Sequence, residues 1–200
     1  MPGEILLSTA YFPPAEYFSL IRNSDSVFIE QEENYVKQTY RNRCRILTSN
    51  GILSLSVPVM KGNALKAQVK DIEIDYSKRW QQVHLRAMTS AYNRSPYFQF
   101  YSEHIMKIFL KSPRFLLDLN NELLLKCLGF LNIDKFILYT SYFQPDSGLP
   151  QDYRYRISTK NDSGFTTRAY IKVFGGNEFV PGLSILDLIF NLGPEAMEYL

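Results

Sequence analysis

The sequence predicts an α/β protein: a short parallel-type βαβ start and a β-hairpin in a mixed sheet, packed against a three-helix layer. Three observations predict it. Two continuously apolar runs, Ile5-Leu6-Leu7 and Val27-Phe28-Ile29, flank an amphipathic segment and have the pattern of strands buried on both faces. Ser49-Asn50-Gly51 lies between two alternating segments, and Asn-Gly accepts the positive φ angles of a tight two-residue turn. Residues from about 77 to 130 then carry helical periodicity, broken only at Ser95-Pro96 and Ser112-Pro113.

In chain order, the first strand runs into Ser8-Thr9-Ala10-Tyr11-Phe12-Pro13-Pro14, and Pro14 suits a first helical position, which needs no amide hydrogen. The helix carries Tyr17, Phe18, Leu20 and Ile21 and stops near Asn23-Ser24-Asp25. Strand, loop, helix and strand in so short a span is the layout of a βαβ unit. Ligands in such folds sit beyond the carboxyl ends of the strands. Those ends carry Ser8, Thr9 and Tyr11 on one side and Glu30 with its acidic neighbours on the other. The loop has no glycine-rich phosphate fingerprint, so a P-loop or dinucleotide site is unsupported.

With Asn50 and Gly51 as the hairpin loop, Cys44 faces Val57, Ile46 faces Leu55 and Asn42 faces Val59. Arg43 meets Pro58 and Arg45 meets Ser56 on the opposite face, where Arg41, Arg43 and Arg45 stand in a row. A polar loop around Lys61-Gly62-Asn63 leads to a strand over 69–76, whose Asp71, Glu73 and Asp75 form the natural neighbour for those arginines.

Three helices follow, over about 77–93, 95–111 and 112–130, the second and third opening on Ser-Pro with serine as cap. Phe136 to Thr140 reads as a further strand, 141–163 as a long loop with a strand at Tyr153 to Ile157, and Ala169 to Phe174 as a last strand. Ser184 and Asp187 have capping-box spacing at the start of a closing helix, with Asp in place of the usual Glu or Gln.

Two hundred residues without a linker fit one domain over 1–200, and a 46% apolar fraction is ample for its core. The net charge of +2 argues against a dedicated nucleic-acid binder. Cys44 and Cys127 sit at apolar positions far apart, as buried thiols rather than a disulfide or metal site. The N-terminus is no signal peptide, and no apolar stretch approaches the roughly 18 residues of a membrane span, so the expected location is cytoplasmic.

The arginine row repels itself unless solvated, paired with Glu30, Glu32 and Glu33, or given an anion. Both a solvated face with Glu–Arg pairs and an anion-binding floor stay open, since a guanidinium fork suits carboxylate or phosphate. Asn42, a polar residue on the core-facing side, favours the second. His84 lies in the apolar stripe beside Trp80 and reads either as a satisfied core residue or as a general base at a cleft. His104, on a mixed helix face, reads as a surface residue.

Tyr11-Phe12-Pro13-Pro14, the run from Tyr35 through Arg41-Asn42-Arg43 to Ile46, Leu55-Ser56-Val57-Pro58-Val59, Trp80 with His84, Ala91-Tyr92 with Ser95-Pro96-Tyr97, and Phe179 to Leu188 together resemble the WbqC-like protein family. The chain departs from the pattern at Ser8-Thr9-Ala10-Tyr11, where members commonly carry Gln-Pro-x-Tyr, which removes any role for a glutamine there. It also reads Pro181-Gly182-Leu183-Ser184 where many read Pro-Asn-Leu-Ser. The family's association with surface-polysaccharide (O-antigen) gene clusters implies a transferase passing an acyl or aminoacyl group to a nucleotide-linked amino-sugar. The early layout also resembles adenylyl-transferring enzymes of the pantothenate-synthetase type, without their paired-histidine motif.

On that reading Arg41 and Arg43, with Arg45, hold the phosphates of an anionic small-molecule substrate such as a nucleotide-sugar or acyl donor. Asn42 orients the strand end, and Tyr11, Tyr35, Tyr92 and Tyr97 line the pocket. His84 takes the proton and Lys37 neutralises developing negative charge. No metal, nucleic acid or membrane span is expected, and no particular cofactor is implied. The rival is a non-catalytic binding or assembly partner of polysaccharide biosynthesis proteins.

Overall fold

Ile5, Leu7, Val27 and Ile29 are almost wholly buried, as two continuously apolar segments require of paired strands covered by the rest of the fold. In the computed structural model, which describes residues 3–60, 67–148, 151–160 and 163–200, β1 (Glu4–Ser8) and β2 (Ser26–Glu30) pair in parallel. The connection between them is α1 (Ala15–Arg22), whose Ala15, Tyr17, Phe18 and Ile21 pack inward. Pro14 sits at its N-cap, one place before the expected position. A short β5 (Ile137–Tyr139) adds in parallel to β2, giving the order β1-β2-β5.

The hairpin is β3 (Arg43–Thr48) and β4 (Gly51–Ser56). Its turn is Ser49-Asn50, and Gly51 alone takes a left-handed φ of 94°. Cys44 therefore faces Leu55 and Arg43 faces Ser56, a register displaced by two residues from the expected one. A shift of two keeps every side chain on its own face, so Cys44, Ile46, Leu55 and Val57 still point into the core. The hairpin makes a separate two-stranded sheet instead of joining a mixed one. Val57 N–H to the Asn42 carbonyl extends its ladder by one bond, and Ser184 N–H to the Arg45 carbonyl ties it to the segment around Ser184.

The strand expected over 69–76 is a correction. Val69–Asp71 is a 3₁₀ turn, followed by isolated bridges from Ile74 to Val59 and from Glu73 to Phe115. The backbone here is used elsewhere: Val69 N–H bonds to the Glu33 carbonyl and Ile74 N–H to the Arg114 carbonyl. Glu73 accordingly pairs with Arg114, not with the hairpin arginines.

The three-helix layer is α2 (Trp80–Tyr92), α3 (Phe98–Lys111) and α4 (Leu116–Phe130). The serines of the Ser-Pro pairs do not cap them, because the N-cap positions fall at Tyr97 and Phe115. Ser95 Oγ instead donates to Asn191 Oδ1 at 3.0 Å, and Ser112 ends α3 with φ 49°. Neither Tyr153 to Ile157 nor Ala169 to Phe174 forms a strand; the former leaves a single bridge from Asp152 to Leu6. The chain closes with α5 (Leu186–Leu192) and a 3₁₀ turn over Gly193–Tyr199. Cys44 and Cys127 are buried free thiols, and burial pushes the Cys127 thiol up to about 12. The Lys61-Gly62-Asn63 loop lies outside the described residues, and among those described no helix is long and apolar enough to cross a membrane.

Candidate functional site

Ser8 and Glu30 end β1 and β2 side by side, at the edge where open α/β sheets receive ligands. Two arginines converge there. Arg41 donates to both oxygens of Glu33, Nε to Oε1 at 2.8 Å and Nη2 to Oε2 at 2.6 Å. Arg154 donates through Nη1 to Glu30 Oε2 at 3.1 Å and through Nη2 to Asp152 Oδ2 at 2.6 Å. Ser8 Oγ joins the two nodes, accepting from Arg41 Nη2 at 2.7 Å and donating to the Arg154 carbonyl at 3.0 Å.

Glu30, Glu33, Arg41 and Arg154 are each 5% exposed or less. Charges so buried are tolerated only when paired and saturated with hydrogen bonds, and these are. Glu30 Oε1 accepts from Thr140 Oγ1 at 2.7 Å and from Glu32 N–H at 2.8 Å. Arg154 engages all five of its N–H donors, the remaining ones on Asp152 and on the carbonyls of Gln144 and Pro145. From α4, Asn120 Nδ2 donates to Thr9 Oγ1 and to the Arg41 carbonyl. Two positive and three negative groups make this edge a clamp, with no spare cation for an anionic ligand.

Two further cations, Arg45 and Lys160, lie next door. A cavity of about 410 Å³ opens beside the N-terminus of α1, within the size range of small-molecule sites. Glu16, Tyr40, Arg45, Thr159, Lys160 and Gly182 are in its wall. Arg45 spends one donor on the Thr159 carbonyl at 2.6 Å. Tyr40 donates to the Gly182 carbonyl at 3.2 Å, and its ring also borders the narrow gap between Arg41 and Arg154. Burial raises the Tyr40 hydroxyl above its usual range while Arg45 opposes the shift.

The sequence-predicted residues are dispersed. The three arginines do not stand in a row: Arg41 precedes β3 and turns inward to Glu33, Arg43 Nε donates across the hairpin to Ser56 Oγ at 2.9 Å, and Arg45 enters the cavity. Asn42 is core-facing as expected, with Nδ2 on the Val57 carbonyl at 3.0 Å. Tyr35 is buried and Lys37 exposed. Tyr92 donates to Asp187 Oδ1 at 3.0 Å, and Tyr97 packs on Tyr101. Asp187, expected to serve a capping box, has its carboxylate in the core.

His84 lies in the core, its Nδ1 2.8 Å from the Tyr11 hydroxyl and its ring edge-on to Trp80, and it lines none of the cavities described. Burial lowers its pKa from 6.5 to about 4. The imidazole is thus neutral at pH 7, and protonation must overcome the folded environment. The unfolded chain takes up this proton first as pH falls below 6.5, so stability declines between pH 6.5 and about 4. The expected loss is about 3 kcal/mol from this group. Urea denaturation across that range measures it; a His84→Leu variant that keeps the full acid slope would refute the assignment.

Residues that sequence reasoning missed are Tyr40, Thr140, Asp152, Arg154 and Glu16. The available signal was the long loop over 141–163 with its alternating Arg154 and Arg156. Among the described residues no group of His, Cys, Asp and Glu could hold a metal ion.

Residues 9–164 match the model of the WbqC-like protein family. The chain is also similar to the uncharacterized protein Rv1507c of Mycobacterium tuberculosis, 27% identical over 224 aligned positions that cover 98% of this chain and 96% of that protein. No solved structure matches.

Proposed function

The chain belongs to the WbqC-like protein family, and from that premise we propose that it is an enzyme of bacterial surface-polysaccharide biosynthesis which transfers an acyl or aminoacyl group to a nucleotide-linked amino-sugar. The observation that carries the reading is the cavity beside α1 with Arg45 and Lys160 in its wall. A guanidinium and an ammonium against one carboxylate, Glu16, leave a net positive wall, and a helix N-terminus adds its dipole. Phosphates of a nucleotide-sugar suit that wall, and Phe165 and Phe179, edge to face at 5.7 Å, offer an apolar surface for a ring.

In the proposed step the amine nitrogen of the sugar attacks the carbonyl carbon of an activated acyl donor. The C–N bond forms, the donor's leaving group departs with its electron pair, and the amine proton passes to a base. Glu16 is the carboxylate at this wall and takes the role first expected of His84.

The test is thermal shift with a panel of UDP- and dTDP-linked amino-sugars, ATP and acyl-coenzyme A. A ligand at about a hundred times its Kd raises the midpoint by roughly 5–10 °C. Arg45→Gln is expected to abolish the shift while leaving circular dichroism unchanged. If nothing in the panel binds and another biosynthetic protein co-purifies in stoichiometric amount, the enzyme reading gives way to the assembly-partner one. One observation favours that rival: Phe136, 90% exposed, with Tyr142 at 64%, lies next to the open edge of β5.

A further inference from the structure

The last part of the chain, together with the α2–α3 connection, builds a separate cavity of about 670 Å³. Its walls come from the α2–α3 connection (Arg94, Pro96), from Tyr170 and Lys172 with their apolar neighbours Ile171 and Val173, and from the closing turn at Leu192, Glu195 and Tyr199. Behind the wall runs a buried polar chain that the proposed transfer step does not use. The Tyr170 hydroxyl donates to Asp187 Oδ2, and the Tyr92 hydroxyl donates to Oδ1 of the same carboxylate. Lys172 lies with its ammonium 5.1 Å from the Tyr170 ring centre and donates to the Glu178 carbonyl.

Lys172 is 9% exposed and Asp187 only 2%. Apolar residues of similar volume would hold this segment at no greater cost if packing were the only demand on it. The distribution of charge has a direction instead. Asp187 is sealed behind two tyrosines, while Lys172 and Arg94 are in the cavity wall, whose one carboxylate residue among those described is Glu195. The remaining lining is aliphatic and aromatic apart from Asn191.

We propose that this cavity is a second ligand site, which takes a small organic anion: a carboxylate with an apolar or aromatic body, the head held by Lys172 and Arg94 and the body lying against Tyr170, Val173 and Leu192. Burial lowers the Lys172 ammonium below its usual range although Asp187 and Glu178 act in the opposite direction, so the existing carboxylates do not fully offset its desolvation and a further one beside it is favoured. The site shares the 165–182 segment with the first cavity, whose wall includes Phe165, Phe179 and Gly182. It is nonetheless independent of the transfer reading, because its residues are other ones.

The probes are 3-phenylpropionate and its charge-reversed counterpart 3-phenylpropylamine, titrated into the full chain by calorimetry. Reductive methylation of lysines, read by mass spectrometry, reports occupancy at the residue level. The expected result is saturable millimolar binding of the acid alone. The acid should slow methylation of Lys172 several-fold and leave Lys160 unchanged. Arg94→Ser, at an exposed position, and Lys172→Met should each weaken binding about tenfold or more. Equal binding of acid and amine, binding untouched by both substitutions, or no saturation with unprotected Lys172 would each overturn the proposal. None of these outcomes bears on the Arg45 cavity.

Discussion

Arg154→Met is expected to destabilise the protein by about 3–5 kcal/mol, because it removes the cation from a buried carboxylate without removing the carboxylate. Glu30 is 1% exposed and would be left, among the described residues, with the Thr140 hydroxyl and one backbone N–H as partners. Asp152 tolerates the loss better, since its side chain is 23% exposed. The carbonyls of Gln144 and Pro145 also lose their donor. The double variant Arg154→Met, Glu30→Gln should recover a large part of the loss, since an amide can be buried more cheaply than an unpaired charge. Urea denaturation of the four proteins in that cycle gives the answer. Simple additivity of the two single effects would mean that Arg154 acts through packing and not through Glu30.

Gly193→Ala is the second large effect. Gly193 has φ 57° and ψ −129°, a combination that an L-residue with a side chain reaches only under strain of about 1–3 kcal/mol. A Cβ there would also lie 2.5 Å from the Tyr97 ring, and overpacking adds about 1–3 kcal/mol. The two parts separate experimentally. Tyr97→Ala on the Gly193→Ala background removes the overlap but not the backbone strain, so it should restore only the share due to overlap. A thermal midpoint for Gly193→Ala within a degree or two of the parent would contradict both arguments. Tyr97, expected as a pocket residue, is on this view the ring that closes over the end of α5.

How much could be read from the chain depended on how local the determinants are. The βαβ start was legible because two fully apolar runs leave no other use for β1 and β2, and the crevice residues Ser8, Thr9 and Glu30 followed from topology alone. The hairpin was legible in its faces and not in its register. Asn50 keeps a negative φ and leaves the left-handed position to Gly51, which moves the turn by one residue on each side and preserves the parity of every side chain. The alternating acids at Asp71, Glu73 and Asp75 suggested a strand, but the backbone of this stretch is shared among Glu33, Pro58, Met60 and Arg114 in separate segments, which sequence spacing cannot reveal.

The candidate site was harder for a related reason. Arg41 and Arg45 are four residues apart and were read as equivalent, yet the turn before β3 sends one into a buried pair and the other into a cavity. Arg154 is 124 residues from its partner Glu30, and no local pattern encodes that meeting. Asp187 carried a small signal: aspartate is an unusual choice for the third position of a capping box, and its true partners are tyrosines from two other segments.

The saturation of Arg154 joins the strand ends to a distant loop as one mechanical unit. A side chain that ties the strand ends to the segment around Gln144, Pro145 and Asp152 with every proton it owns cannot release that segment one bond at a time. Swinging it aside would strand a guanidinium and a carboxylate together, away from water. The ends of β1 and β2 and the stretch around Gln144 and Asp152 should accordingly open together or not at all.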